Sequence, residues 1–465
     1  MLSTQKRGIW LILIIAVYIA ITMMPTPAGM EPVGQRALAL VICAVLSWIF
    51  VPVPIAISSL FFVFAMHLAN VEGMGPAIQN FATPTLIFVI ASFMLAIAMG
   101  ESGFSRRVSL KLTIISKGNP STAIMLILCA AGAISTVISD PPVAAAFTPI
   151  ALELINRSNC EKGKSNFAKA LLIGVTMAAL IGGVGTPAGS SVNVLALGLL
   201  QSEAGINISF LQWTAIGLPF VIFVVPLTAK ALTWVFPLEI KELSGLEEVK
   251  KEYSQLGGMS AKEIKFLAIM AILILVWLTD RIHNLPLPLT ATIGASLFFI
   301  PGIDLLTWDT TKGKIGWDTI LLIGASSSLG TALSKTGAAL WLAKVALSGI
   351  QNSSILIALI VIVVFTIVLH LIIPVAPAIV SVLAPTLVAF AATLEGIPPA
   401  LFVVPMAFSA SAAFMLPLDP VALITYTHGY YSMGDFFKAG VVASIVWTIF
   451  MVLSIYLIGG PVGMI

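Results

Sequence analysis

The stretch ISTVISDPPVAAAFTPI, Ile134–Ile150, lies in a long apolar segment and is interrupted at its middle by Ser139-Asp140-Pro141-Pro142. Two consecutive prolines cannot both keep helical backbone hydrogen bonds. A carboxylate at bilayer depth costs about 2.5–3.5 kcal/mol on insertion scales. Broken backbone is tolerated there only where protein or a watery cavity satisfies it. The interruption therefore reads as the tip of a substrate or ion site inside a membrane transporter.

The flanks give the tip its direction. Arg106, Arg107, Lys111 and Lys117 precede the stretch, and Arg157, Lys162, Lys164 and Lys169 follow it. One crossing would place one of these basic loops on the wrong side, so the positive-inside rule selects a hairpin over 120–154 that enters from the cytoplasm and returns. Residues 104–118 suit an amphipathic helix on the membrane surface.

Composition sets the class. The chain has 465 residues, 59% of them hydrophobic and 9% charged, against about 25% charged in a typical soluble domain. Apolar runs of about 20 residues recur along its length. This is an all-α polytopic membrane protein, and the alternating segments of a transmembrane barrel are absent. The net charge of +3 gives no reason to expect a nucleic-acid partner. Cys43, Cys129 and Cys160 lie far apart without metal-ligand spacing.

The pass along the chain gives about eleven transmembrane helices plus two re-entrant hairpins. Residues 1–71 are N-terminal scaffold helices, and 72–236 form a first repeat containing hairpin 120–154. Residues 237–262 form a cytoplasmic connector and 263–302 connecting helices. A second repeat, 303–465, contains an outside-entering hairpin, 354–391, whose tip is read at Ile372–Pro377. Gln5-Lys6-Arg7 places the N-terminus in the cytoplasm, which leaves the C-terminus outside. A first span kept as a signal anchor and the lack of a transit peptide point to a bacterial inner membrane.

Residues 85–103, TLIFVIASFMLAIAMGESG, align without a gap on 319–337, TILLIGASSSLGTALSKTG. Thr85/Thr319, Ala91/Ala325, Ser92/Ser326, Leu95/Leu329, Ala98/Ala332 and Gly103/Gly337 are identical. Each copy precedes a Pro-broken hairpin and then a Gly/Pro-broken span. An inverted repeat with paired broken helices is the pattern of a secondary transporter with its site near the midplane.

Three motifs carry a family resemblance over about Phe81–Gly440. They are Phe81-Ala82-Thr83-Pro84 with the Ala-Met-Gly-Glu-Ser-Gly helix end, Gly185-Thr186-Pro187-Ala188-Gly189-Ser190-Ser191-Val192-Asn193, and Ser409-Ala410-Ser411-Ala412-Ala413-Phe414-Met415-Leu416-Pro417. The chain resembles the divalent anion/sodium symporter family of di-/tricarboxylate and sulfate transporters. The resemblance implies a homodimer, a scaffold domain and an elevator-like transport domain. That family places Ser-Asn-Thr at each hairpin tip. Here the tips read Ser139-Asp140-Pro141 and Val375-Ala376-Pro377, and the second Thr-Pro-Pro-Asn is replaced near Asp419-Pro420. Ser139, Thr186, Gly189, Ser190 and Asn193 match. With Asp140 and Gly185, Ser139, Gly189 and Asn193 are the candidate Na+ ligands; the second-tip carboxylate ligands do not carry over.

The substrate candidates are Ser139, Asp140, Thr186, Ser190, Ser191, Asn193, Pro377, Pro417 and Asp419. Ser190, Ser191 and Asn193 could hold an anion through hydroxyl, amide and half-helix N-terminal groups, or simply allow close helix packing. Asp140 and Asp419 occupy comparable breaks. Each can bind a coupling cation, take up a proton, or cap the half-helix that follows. His370 and His428 titrate near neutral pH or serve packing; Lys335 and Glu101 read as interfacial. No P-loop, His-Glu-x-x-His or Gly-x-Ser-x-Gly motif marks an enzyme, and no cofactor is expected beyond Na+ or H+ as coupling ion. The expected function is alternating-access transport of a small anion. The alternative is a monovalent-cation/proton antiporter using Asp140 and Asp419.

Overall fold

The computed structural model describes residues 4–347, 349, 353–371, 373, 375–394 and 396–463; all are helical or irregular, with no strand among them. Six described helices have apolar windows long enough to cross a bilayer: Lys6–Met23, Pro32–Phe50, Met74–Ser102, Asn166–Gly183, Phe210–Val235 and Met433–Ile458. Others are shorter for a reason. The hairpin arm Pro120–Ser135 has 16 residues, about 24 Å at 1.5 Å per residue, less than the ~30 Å hydrocarbon core.

Element order repeats along the chain. Pro84–Ser102 and Trp317–Lys335 each have 19 residues and end at a left-handed glycine, Gly103 (φ 84°) and Gly337 (φ 72°). Shorter helices Phe104–Ile115 and Ala338–Ala346 follow. Next come hairpins built from Pro120–Ser135 with Asp140–Arg157 and from Ile355–Leu369 with Ala376–Ala391. The broken spans are Asn166–Gly183 with Ser191–Ala204, and Ala400–Ala410 with Pro420–Tyr426. Each half closes with a 26-residue helix, Phe210–Val235 or Met433–Ile458, begun by a capping box on Ser209 or Ser432. Lys314, just before Trp317–Lys335, pairs with Glu101 at the end of Pro84–Ser102.

Contacts sort the loops onto two ends of the molecule. At one end Arg7 donates to Pro52 O, Lys169 pairs with Asp435, and Tyr430 bonds Asn156. At the other, Lys335 pairs with Glu72 and Phe210 N donates to Asp280. The connector helix Leu246–Gln255 is held at the first end by Arg106 and Arg157, both on Glu252. Arg107 grips Glu263 bidentately at 2.6 and 3.0 Å and donates to the carbonyls of Gly257 and Gly258.

Candidate functional site

The first hairpin starts at Asn119, whose side chain caps Thr122 N. Its turn lies at 136–139, three residues before the expected break at Ser139-Asp140-Pro141-Pro142. Asp140, Pro141 and Pro142 instead form the first turn of the returning helix Asp140–Arg157. Helical N–H groups there lack intrahelical acceptors, so both prolines are accommodated without a lost bond.

The first broken span meets this hairpin backbone to backbone. A Cβ on Gly182 would lie 2.2 Å from Gly132 O, and one on Gly189 would lie 2.5 Å from Gly183 O and 2.6 Å from Ser135 O. Only glycine permits that approach. Ser135 donates to Ala179 O at 2.6 Å and Thr186 donates to Thr136 O. Asn193 donates to Gly183 O (2.8 Å) and Thr186 O (2.9 Å), which holds the unwound segment. Its Oδ1 is buried and has no partner among the described residues. Trp213 donates to Val184 O at 2.9 Å. Ser190 caps Ser191–Ala204 through Val192 N.

The second half is built differently. Asp419 caps Pro420–Tyr426, accepting from Val421 N at 2.8 Å. Pro417 is buried in the bend before it. Pro377 is buried in the first turn of Ala376–Ala391. Of the second tip, Ile372 and Pro374 lie outside the described residues. His370 ends Ile355–Leu369 and bonds Ala410 O through Nε2 at 2.9 Å. Trp447 donates to Ser409 at 3.2 Å.

Cross-packing joins the halves. Pro420–Tyr426 packs on Asp140–Arg157 and Asn166–Gly183, while Ser191–Ala204 packs on Ala376–Ala391 and Ala400–Ala410. Thr176 and Thr425 hydroxyls meet at 2.6 Å, with Tyr431 on Thr425 at 2.8 Å. Asp140 and Asp419 are 7% and 6% exposed, and Asp419 caps the helix that packs on the one Asp140 begins. Ser139 donates to Asp140 at 3.3 Å, and Ser190 also reaches that carboxyl. Ser139, Asp140, Ser190 and Asp419 thus share one interior region. Thr186, Gly185, Gly189 and Asn193 shape the broken backbone beside it, and Ser191 opens the following helix. His428 stands in the turn beyond Pro420–Tyr426, half-buried. Trp213 carries no signal in the sequence, because its role depends on Val184 O, which no local pattern announces.

A cavity of about 990 Å³ opens at the end bearing Asp280, Arg281 and Lys335 and reaches the first break at Pro187. Ser327 and Thr331 line it too.

The comparison with known proteins agrees with this layout. The chain matches the family described as sodium:sulfate symporter transmembrane region over residues 5–465. It belongs to that family. A Cupriavidus necator membrane protein is 27% identical, the match covering 94% of this chain and 90% of the relative. The sodium-dependent dicarboxylate transporter SdcS of Staphylococcus saprophyticus is 26% identical over 94% and 88% of the two chains. SdcS of Staphylococcus aureus strain USA300 is 24% identical over 91% and 85%. Among solved structures, the Alcanivorax borkumensis YdaH transporter aligns with TM-score 0.53 and 15% identity over 97% and 98% of the chains. MtrF of Neisseria gonorrhoeae aligns with TM-score 0.52 and 12% identity over 98% and 94%. At that identity the likeness is one of fold. This member of the sodium:sulfate symporter family is a multi-pass helical membrane protein, and Asp140-Pro141 and Ala376-Pro377 stand at its hairpin tips.

Proposed function

We propose that this protein is a secondary active transporter that carries a small di-/tricarboxylate-like or sulfate-like anion by alternating access, coupled to Na+ or H+. The observation that carries the reading is the burial of Asp140 and Asp419 at the starts of two half-helices that pack on one another. Helix N-termini favour anions and helix C-termini favour cations. Asp140–Arg157, Ser191–Ala204 and Ala376–Ala391 begin at the breaks, and Asn166–Gly183 and Ala400–Ala410 end there. Two carboxylates beside an anion repel it until a cation or proton intervenes, and this makes substrate binding conditional on the coupling ion. Ser139, Asp140, Gly185, Gly189 and Asn193 are the proposed Na+ ligands; Ser190, Ser191, Thr186, Pro377, Pro417 and Asp419 line the proposed substrate side. The names of the SdcS relatives support sodium and a dicarboxylate.

The same reading has residues 72–236 and 303–465 as inverted repeats moving against scaffold segments 1–71 and 263–302, with 237–262 as the connector. It places a homodimer in the cell membrane, with the N-terminus and the Lys169–Asp435 end in the cytoplasm.

Uptake of labelled succinate, citrate and sulfate into proteoliposomes, with Na+, pH and counter-substrate varied separately, tests it. Concentrative uptake of one anion driven by a Na+ or H+ gradient is expected, and Asp140→Asn abolishes its dependence on that gradient. No anion uptake, together with Na+-dependent proton movement, would overturn it in favour of a monovalent-cation/proton antiporter.

A further inference from the structure

The second hairpin poses a charge problem. Val375-Ala376-Pro377 offers no polar side chain, and the buried side chains among the described residues include no lysine or arginine. An anion reaching the interior would meet Asp140 and Asp419 with nothing fixed and positive opposite them. His370 is the buried side chain that can carry a positive charge, at 3% exposed. Its Nε2 faces Ala410 O at 2.9 Å. A carbonyl only accepts, so Nε2 holds the hydrogen and the ring orientation is set. Nδ1 is buried with no partner among the described residues, and so is Oγ of Ser411, one residue past Ala410. A buried polar group left unpaired costs about 1–3 kcal/mol, and the hydrogen bond from His370 to Ala410 O ties the residue carrying one such atom to the neighbour of the residue carrying the other.

We propose that His370 and Ser411 form the oxyanion contact of the second half, holding a carboxylate or sulfate group of the transported anion. This rests on the anion-transport reading above. Nδ1 takes one proton from solution as the anion binds. The imidazolium then donates Nδ1–H to the anion and Nε2–H to Ala410 O, while the Ser411 hydroxyl donates to a second oxygen. The proton leaves when the anion does. The helices packed on Ile355–Leu369 add no competing charge at this level. Ala400–Ala410 contains no titratable residue, and Met433–Ile458 carries only Asp435, Lys438 and Tyr456, near its ends. Asp435 is paired with Lys169 at 3.2 Å.

Calorimetric titration of succinate, citrate and sulfate into the purified full chain, in buffers of differing ionisation enthalpy, counts protons taken up per anion. Titrations at about pH 6 and about pH 8 compare binding at two proton activities on either side of a free histidine's midpoint. Uptake approaching one proton and tighter binding at the lower pH are expected. His370→Gln keeps a donor for Ala410 O; it is expected to abolish the uptake and weaken binding at least about tenfold, the worth of one charge-assisted hydrogen bond. Ser411→Ala weakens binding but keeps the uptake, and it decides the matter with the wild-type count if His370→Gln does not fold. Wild-type binding without proton uptake, or His370→Gln with unchanged affinity and uptake, overturns the assignment while leaving anion transport standing. Loss of uptake in Asp140→Asn but not in His370→Gln assigns the proton to the acid and also overturns it. Absence of both anion binding and uptake in the wild type removes the anion-transport reading itself.

Discussion

At the residue scale, Asn193 and the two aspartates divide the work. Asn193 is completely buried and holds Gly183 O, which has no other donor among the described residues, and Thr186 O, which it shares with Gly189 N. Asn193→Ala strands Gly183 O and leaves Thr186 O with Gly189 N alone. The expected result is a loss of about 1–3 kcal/mol for the stranded carbonyl, seen as a lowered melting temperature of the purified protein and loss of uptake. Asp419 caps its half-helix through Val421 N, whereas Asp140 is the first helical residue and receives Ser139. Both are legible in sequence as acids beside a break. Their different backbone roles are not, because capping depends on where the helix starts, within a residue or two.

At the element scale, each half closes with a helix whose eighth residue is a glycine set against a break. A Cβ on Gly217 would lie 2.5 Å from Val184 O and 2.7 Å from Gly185 O; on Gly440, it would lie 1.8 Å from Phe414 O. Gly440→Ala forces the second break away from Met433–Ile458. We expect it to cost about 1–3 kcal/mol or more and to lower the uptake rate, with Gly217→Ala milder; a thermal melt of each variant alongside uptake assays checks the order. The repeat was readable over 85–103 and 319–337 from identical residues, yet the equivalence of these last helices was not. Their glycines and capping boxes match at a different offset, because the intervening hairpins and breaks differ in length. Ala338–Ala346, the counterpart of Phe104–Ile115, also escaped the sequence reading. Its charge pattern is weak: one lysine stands where the first copy has three basic residues.

For the whole molecule, the sorting of contacts onto two ends makes sidedness testable with a native residue. Cys160 stands in the loop between Asp140–Arg157 and Asn166–Gly183, partly exposed, while Cys43 is buried within Pro32–Phe50. A membrane-impermeant maleimide is expected to label Cys160 in inside-out vesicles and not in right-side-out ones. Asn207→Cys in a Cys160→Ser background should show the reverse, since Asn207 lines the cavity at the opposite end. Labelling of both positions from one side would refute the inverted topology.

The sequence by itself determined the membrane class, the broken spans and the family, because hydropathy, prolines and glycine runs act over a few neighbouring residues. Tertiary structure decided which breaks meet. Asp140 and Asp419 stand in different halves of the chain, and only the crossing of Pro420–Tyr426 onto Asp140–Arg157 brings the helices they begin together. It likewise decided that His370 spends one ring nitrogen on Ala410 O and leaves the other unpaired. Such partners are set by packing between distant segments, and no local pattern encodes a hydrogen bond to another helix's backbone.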